Sequence, residues 1–554
     1  MIPQDCFLFA RSDVSSTVES QLFGYGLSSD AIIFGTEGIR SYLGQIESNE
    51  LPTEGRFCGI FIEGNSLIIR TDRTGQEMLY LFQKDGDWAV SNSFMLLAAN
   101  VAKTHQINFN PIIAKAFHLA QGTHIGEQLI SHNTMIKEIS VVPLTWELKV
   151  DRTSGSLSFL KETYLSRYAL PKGSTYEDTL LDVIQRGAGL LATHHEHGIA
   201  LNPHLSGGYD SRLVLCMMIA GQVTENVRIT SYEYKSDDFK VAYSICKQLS
   251  LPLNTPGPVH RKMISSSEAL KLYLLSCGGT YLPIYLVKDY QFRGKIEAVL
   301  TGDQPTGWSF FAGNAMFNGD ADKIAEGITT YMEGRENGDD VRDEFLTTFE
   351  MLGVDKNHPA AMLAHYNAIR SRHHCGRNWY KSSGAKLLFT PLMQSSFIAM
   401  DLYNLENGYH PTKLFVDAFS AFGGWALNEP FETPDRDFDP ILIENSPFKG
   451  GVEIIPHKYS IFGKIETEYP MQEPDIFDIP LELGYDDELV KKSLEQSFLR
   501  ATLAKNCSVF TSDDFNIAKQ EIHQNGSFSQ GYRKLAHILS VDMVLRIIQT
   551  SVRK

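Results

Sequence analysis

A run of apolar residues long enough to cross a bilayer, roughly 18 positions, is missing from this chain of 554 residues. That excludes a spanning helix of the usual kind. Met1 to Arg11 hold only a brief apolar run behind an acidic start, so no secretory signal is expected and a cytoplasmic location is. The seven cysteines, Cys6, Cys58, Cys216, Cys246, Cys277, Cys375 and Cys507, stand singly, without a CxxC pair or the spacing of a zinc site. Reduced, mostly buried thiols follow. Positive charge is scarce as well: 50 Lys and Arg face 66 Asp and Glu, a formal net charge of −16. Binding a nucleic-acid backbone relies on clustered Lys and Arg that release counterions, so a small-molecule or peptide substrate is expected and nucleic acid is not.

What is present reads as a multidomain globular protein. Hydrophobic residues at 43% and charged residues at 21% are near soluble averages, and the length exceeds what one core normally organises. The first 170 or so residues alternate apolar runs with turn signals, as in Cys58 to Ile62, then Glu63 to Asn65, then Ser66 to Arg70, and predict strands joined by turns. Phe94 to Val101 and Asn110 to Ala120 read as helices, the second with Asn110 as N-cap before Pro111. Beyond Tyr164 the pattern changes to helix over Thr175 to His195, an apolar run over Ile199 to Leu205, and helix over Asp210 to Ala220. Arg228 to Tyr234 and Ala298 to Thr301 read as further buried strands, with Asp238 to Leu249 as helix between them. This alternation predicts a parallel α/β region with its boundary at 165–175. Residues 427–485 are rich in Pro, Asp, Glu and Gly and read as irregular, and Tyr532 to Thr550 as an apolar helix packed on the core.

Between the run ending at Leu205 and the helix from Asp210 lies Ser206-Gly207-Gly208-Tyr209-Asp210-Ser211. Two glycines let backbone N–H groups approach an anion unobstructed, and the helix N-terminus adds a favourable dipole. Ser206 and Ser211 add hydroxyl donors, and Asp210 is placed to hold magnesium against phosphates.

SGGxDS resembles the pyrophosphate-loop signature of the ATP pyrophosphatases, and the chain as a whole resembles the asparagine synthetase branch, in which a glutaminase-like domain precedes that loop. Gly55 to Phe61, Arg70 to Gly75 and Leu79-Tyr80 look like that family's GxFAxxx…RDxxGxxPLY strand pair, and Ile136 to Ile139, Val142-Pro143 and Tyr164 like its interdomain segment. Ser231 to Asp238 with Ala242 is similar to the segment that ends the second strand and receives the adenine. Val299 to Asp303 is similar to the strand and loop that close the site, and Thr390 to Leu392 to a TPFLD-like stretch. The resemblance implies an α+β, Ntn-hydrolase-like sandwich over 1–170 and an α/β PP-loop domain with a parallel sheet over 171–430. Residues 431–554 are expected to be a C-terminal extension packed on the synthetase domain. It further implies ATP and Mg²⁺, nucleotide contacts from Leu205, Ser206, Gly207, Gly208, Tyr209, Asp210, Ser211, Ser231 and Gly302, and metal held by Asp210 and Asp303.

The chain departs from that pattern in informative places. Glutamine-hydrolysing members expose a cysteine at the mature N-terminus, but here the second residue is Ile2, and Cys6 on the first strand would be exposed only by removing five residues. The NGEIYN and RG glutamine-binding strings are absent. The N-terminal domain is therefore expected to be a structural relic, as in β-lactam synthetases and lasso-peptide cyclases. Over Thr301 to Trp308 the family's GxGxDE-like loop is altered, and Asp303 is its one carboxylate, either a metal ligand or a turn residue at a strand end. Arg370 to Arg377 packs three arginines and two histidines into eight residues; on a helix, Arg370, His373, His374 and Arg377 would share a face and can neutralise phosphate charge or hold a carboxylate. A solvated face or an ion-pair cluster is the competing reading. Lys413 is the candidate lysine near the polyphosphate, with Lys458 and Lys464 as alternatives, while His194, His195 and His197 are expected at the surface and no transition-metal site is assigned.

Three functions fit these residues. The first is an AMP-forming ligase that adenylates a small-molecule or peptide carboxylate and transfers it to an amine, with catalytic roles for Asp210, Asp303, Arg370 and Lys413. The second is a glutamine-dependent asparagine synthetase, disfavoured by Ile2. The third is a non-catalytic ATP-binding or scaffold homologue. A homodimer or a pathway-enzyme partner suits the first.

Overall fold

In a computed structural model the described residues are 6–45, 50–119, 125–225, 227–255, 260–263, 266–282, 289–292, 297–306, 321–332, 338–377, 386–410, 412–432, 438–464, 509–523 and 533–551. The chain is mixed α/β, with antiparallel sheets in its first half and a parallel sheet in its second.

Alternating side chains make the first half a stack of layers. In strand Glu54–Glu63, Phe57 and Phe61 point to one face and Cys58 and Ile60 to the other, the period-2 pattern of a strand buried on both sides. This strand lies inside a seven-stranded sheet, paired antiparallel to Gln21–Leu27 and Ser66–Thr71. A four-stranded sheet of Leu8–Ala10, Asp87–Ser91, Tyr80–Lys84 and Ile139–Val141 packs on the Cys58 face, where Phe9, Ile60, Leu81, Val90 and Leu148 form the core between the sheets. Helix Gly35–Gln45 covers the opposite face through Ile39 and Tyr42, and helix Phe94–Val101 covers the outer face of the smaller sheet. The order is helix, sheet, sheet, helix. Each fully buried Phe or Leu contributes about 1.5–3 kcal/mol here, and Phe57→Ala would cost about 3–5 kcal/mol by leaving a cavity.

The second half is built on parallel strands Ala200–Pro203, Glu297–Leu300 and Lys386–Phe389, in register Leu201 to Ala298 to Leu387. Parallel bridges from His204 to Thr230 and from Ile229 to Leu253 extend the sheet on the other side. Its order is therefore 253, 229–230, 200–204, 297–300, 386–389. The chain steps outward in one direction from 200–203 and then returns to the other side, so 200–203 and 297–300 flank a topological switch point, where the carboxyl ends of neighbouring strands open a crevice. Helix Tyr176–Glu196 starts at a capping box of Thr175 and Asp178 and crosses Tyr209–Ala220 so closely that a Cβ on Gly187 would fall 2.4 Å from the Met217 sulfur.

The halves share one core. Tyr25, Leu27, Ile32 and Phe34 of the first sheet pack with Leu180, Leu213 and Phe389 of the second half. The described parts of 431–554 divide between them. Phe438, Phe448 and Tyr459 join the core around the parallel sheet, Ser460–Phe462 adds a parallel strand beside Ala31–Phe34, and helix Arg533–Ser551 packs with Met95, Leu97, Leu272 and Leu275.

Three local expectations need correction. The expected strand Arg228 to Tyr234 pairs over Arg228 to Thr230 alone; the N–H of Ser231 goes to the Asn254 side chain instead, and the chain turns outward at Tyr232 and Tyr234. The helix from Pro111 ends at Ala116, and Asn110 caps it by position without a side-chain hydrogen bond. His194 is fully buried between Phe34 and Phe389 rather than at the surface, its Nδ1 bonded to the Leu190 carbonyl, and burial pushes its pKa down to about 4.

Candidate functional site

Strand Ala200–Pro203 delivers the chain to the switch point, and helix Tyr209–Ala220 carries it away. Between them the loop is held by its own polar groups. The Ser211 hydroxyl accepts from the Ser206 N–H at 3.1 Å and lies 3.1 Å from the Ser206 hydroxyl, which accepts from the Gly208 N–H at 3.3 Å. Leu205 is buried, with its N–H on the Thr230 carbonyl at 2.9 Å. Tyr209 turns its ring away from the loop into Phe415, Phe431 and Phe438, so its part is to anchor the helix start. Beneath it Arg212, fully buried, donates to the carbonyls of Ala426, Glu429 and Pro430. Burial lowers its pKa to about 10.

The end of the neighbouring strand presses on this loop. A Cβ on Gly302 would stand 2.7 Å from the Ser211 nitrogen and 2.8 Å from the Asp210 Cβ, so only glycine fits there. Past it, Asp303 accepts from the Thr301 hydroxyl at 2.9 Å. A cleft of about 240 Å³ opens above the strand ends, lined by Ser206, Asp210 and Ser211 on one side, Thr301 to Asp303 on another, and Thr230 to Tyr232 with Lys235 and Asp238 on a third. Ser231 is one of its lining residues, and its hydroxyl is buried with no hydrogen-bond partner among the described residues. The Ser231 backbone is fixed by Asn254, whose side chain bonds both its N–H and its carbonyl at 2.9 and 3.0 Å, from a left-handed backbone at φ +49° that Asn tolerates.

Of the expected residues, the structure thus brings together Leu205, Ser206, Gly207, Gly208, Asp210, Ser211, Ser231, Gly302 and Asp303. Arg370 does not line the cleft: its Nη1 donates to the Gln128 side chain at 3.1 Å. Burial first, then the charge of Asp303, raises the pKa of the Cys375 thiol while Arg370 lowers it, so the turn 370–375 feels the cleft carboxylates. Lys413 is not brought in. It forms a 2.6 Å ion pair with the buried Asp417, which also accepts from Tyr176, and it does not line the cleft. Lys458 and Lys464 are exposed and do not line it either. Gly307 and Trp308 lie outside the described residues.

The rest of the 370–377 cluster has a different role from the shared helical face expected of it. A π-helical turn over Tyr366–Ser371 precedes the α-helical turn Arg372–Arg377, and its extra residue shifts the phase of the side chains. Arg372, His373 and Arg377 are buried against the first half of the chain. Arg377 pairs with Glu77 at 2.8 Å, Glu77 also pairs with Arg56 at 2.8 Å, and Arg372 donates to the carbonyls of Gly75 and Val142. Burial disfavours the Arg377 cation, but Glu77, with Tyr80 and Cys277, overrides it and raises its pKa. This is a latch between the halves. His374 meets the Tyr281 hydroxyl at 2.9 Å.

The cysteines are free thiols, buried at Cys58, Cys216, Cys246, Cys277 and Cys375 and half-buried at Cys6, with Cys507 outside the described residues. Six cleft residues escaped the sequence reading as individuals: His204, Thr230, Tyr232, Lys235, Asp238 and Thr301. Tyr232, Lys235 and Asp238 sat inside the segment expected to meet a nucleotide, but nothing in the sequence marks one carboxylate of Asp237 and Asp238 as facing inward.

The class defined here is a mixed α/β protein with a glycine-loop cleft at the switch point of a parallel sheet. No known family model matches the chain, and no curated protein matches it. Among the described residues no helix is long and apolar enough to cross a membrane.

Proposed function

We propose that this chain is an ATP-dependent, AMP-forming carbon–nitrogen ligase of the asparagine synthetase-like type, acting on a small-molecule or peptide carboxylate and an amine. The observation that carries the reading is the loop Ser206 to Ser211 at the carboxyl end of strand Ala200–Pro203, clamped by Gly302 and open to a cleft with Asp210 and Asp303 on its walls. In this reading the parallel region is the PP-loop domain, and the helix–sheet–sheet–helix layering of the first half is the glutaminase-like sandwich. The family's NGEIYN and RG glutamine-binding strings are not recognisable in that half, so in this reading the nitrogen comes from an amine substrate rather than from glutamine.

The donors fit a magnesium nucleotide. Magnesium is usually held by one or two carboxylates together with phosphate oxygens and water, which Asp210 and Asp303 can provide. Among the described residues no group of three or more His, Cys, Asp or Glu is arranged for a metal, so the carboxylate pair with phosphate is the arrangement proposed. The unpartnered hydroxyl of Ser231, in the cleft wall, is a further potential donor or acceptor. When bound, the metal would neutralise charge on the polyphosphate.

The reaction has two steps. An oxygen of the substrate carboxylate attacks the α-phosphorus, and the bond to the β-phosphate oxygen breaks, with pyrophosphate leaving. The hydroxyls of Ser206 and Ser211 hold that leaving group together with the loop N–H groups, once these leave Ser211 Oγ, Asp238 and Ser206 Oγ, and so supply the electrostatic help on which such transfers rely. The amine then attacks the acyl carbon, AMP departs with the bonding pair, and the amine proton is lost to solvent. Arg370 is held by Gln128 and does not line the cleft, so no step is given to it.

The test is a panel of carboxylates with ATP, magnesium and hydroxylamine as surrogate amine. A substrate acid should give AMP and pyrophosphate in equal amounts together with a hydroxamate, each abolished by Asp210→Ala; ADP and phosphate as products would refute adenylation.

A further inference from the structure

Resting on the reading of the cleft as a polyphosphate site, we propose that Asp238 makes it selective for magnesium-complexed polyphosphate by occupying a hydrogen that a bare phosphate would need. The N–H of Gly207, at the centre of the glycine loop, donates to Asp238 Oδ1 at 2.9 Å. An N–H carries one hydrogen, so a phosphate oxygen arriving at Gly207 must displace this carboxylate or sit beside its charge. The other face of Gly207 gives no room. A Cβ there would meet the Cβ of Glu432 at 2.7 Å and its Oε2 at 3.0 Å.

Charge on the lining points the same way. Asp210, Asp238 and Asp303 are its carboxylates among the described residues, and Lys235, whose Nζ is 3.8 Å from Asp238 Oδ2, is the lysine that lines it, with His204 also on the wall. A metal-free polyphosphate therefore meets like charge on the group that guards the loop, whereas one carrying a divalent cation brings its own compensation. Lys235 is about half exposed and can keep the Asp238 carboxylate company once it leaves Gly207. The cleft wall also holds an unmet polar group, since the hydroxyl of the lining residue Ser231 is buried and has no hydrogen-bond partner among the described residues. Asp238 is thus a specificity-determining residue, setting which ionic form of the ligand enters.

The experiment is calorimetric titration with pyrophosphate and with ATP, in excess magnesium and in EDTA, on the wild type, Asp238→Asn and Lys235→Ala. Asn keeps an oxygen acceptor for Gly207 and removes the charge, and unchanged thermal midpoints check the fold. A neighbouring charge moves such equilibria by about one to three powers of ten. The wild type should lose at least about a hundredfold in affinity in EDTA. Asp238→Asn should lose less than about tenfold, because its metal-free binding has risen. Lys235→Ala should bind the metal-free forms more weakly than the wild type. An unchanged EDTA ratio in Asp238→Asn, or equal weakening of both forms, would overturn the selectivity role and leave the polyphosphate site standing. Failure of the wild type to bind either ligand with magnesium would overturn both.

Discussion

Gly302 and Asp210 are in backbone-level contact: a methyl group added to Gly302 would fall 2.8 Å from the Asp210 Cβ and 2.7 Å from the next backbone nitrogen. Neither neighbour can swing aside, since one belongs to the first turn of a buried helix and the other to its backbone. Gly302→Ala should therefore displace the loop rather than be absorbed. Overpacking of this kind costs about 1–3 kcal/mol, and here the cost should appear mainly as loss of nucleotide affinity by about tenfold or more. Calorimetry with ATP and magnesium, beside a thermal melt, checks it; wild-type affinity in the variant would show that the contact does not shape the site.

The latch between the halves predicts a stability effect of a different size. Glu77 is shared by Arg56 and Arg377, and the Arg377 side chain is almost fully buried. Removing one partner of a buried pair strands the other charge and typically costs about 3–5 kcal/mol. Glu77→Gln should lower the unfolding free energy by that order in urea, and combining it with Arg377→Met should recover part of the loss. A double variant less stable than the single one would contradict the pairing.

Acid should also loosen this joint. His132, His365 and His373 are buried, and desolvation pushes their pKa values from 6.5 down to about 3, about 4 and about 3. They are neutral in the fold and take up protons more readily in the unfolded chain. Stability is then insensitive to them above about pH 6.5 and falls as pH drops from about 6.5 to about 4 for His365 and to about 3 for His132 and His373, by roughly 2 kcal/mol per histidine at pH 5. Urea melts at pH 7 and pH 5 measure the slope. His132, whose ring nitrogens have no hydrogen-bond partner among the described residues, is the place to test it. His132→Leu should be at least as stable as the wild type at pH 7 and show a shallower loss by pH 5. An identical slope would remove His132 from the account.

The sequence was most readable where local signals and tertiary packing agree. Phe94–Val101 was bounded correctly because Ser93 caps an apolar helix, and the run from Ile199 followed by helix to Ala220 was legible because two glycines punctuate it. Strand Ser460–Phe462 was not, since three residues carry no periodicity and the strand exists only because Ala31–Phe34 offers an edge. His194 illustrates a related limit. Its place near a charged helix end suggests solvent, but the aromatic rings that bury it come from residues 34 and 389. At the site, the loop could be read from composition, but the inward turn of Asp238 and the pairing of Lys413 with Asp417 depend on how helices converge. In the 370–377 cluster the residue types were visible and the π-helical phase shift was not, so a latch looked like one face of a helix.

The central claim is that the loop 206–211 holds the polyphosphate of ATP with Asp210 as the metal-holding carboxylate. Equilibrium binding of magnesium α,β-methylene-ATP, which cannot be cleaved at the α-phosphorus, tests it without knowledge of the acid or the amine. The wild type should bind with a dissociation constant in the range usual for enzyme substrates, about 1 μM to 1 mM. Pyrophosphate should compete, and Asp210→Ala should bind at least about tenfold more weakly at an unchanged unfolding midpoint. Equal binding by Asp210→Ala, or no binding by the wild type at about ten times the upper end of that range, would contradict the account.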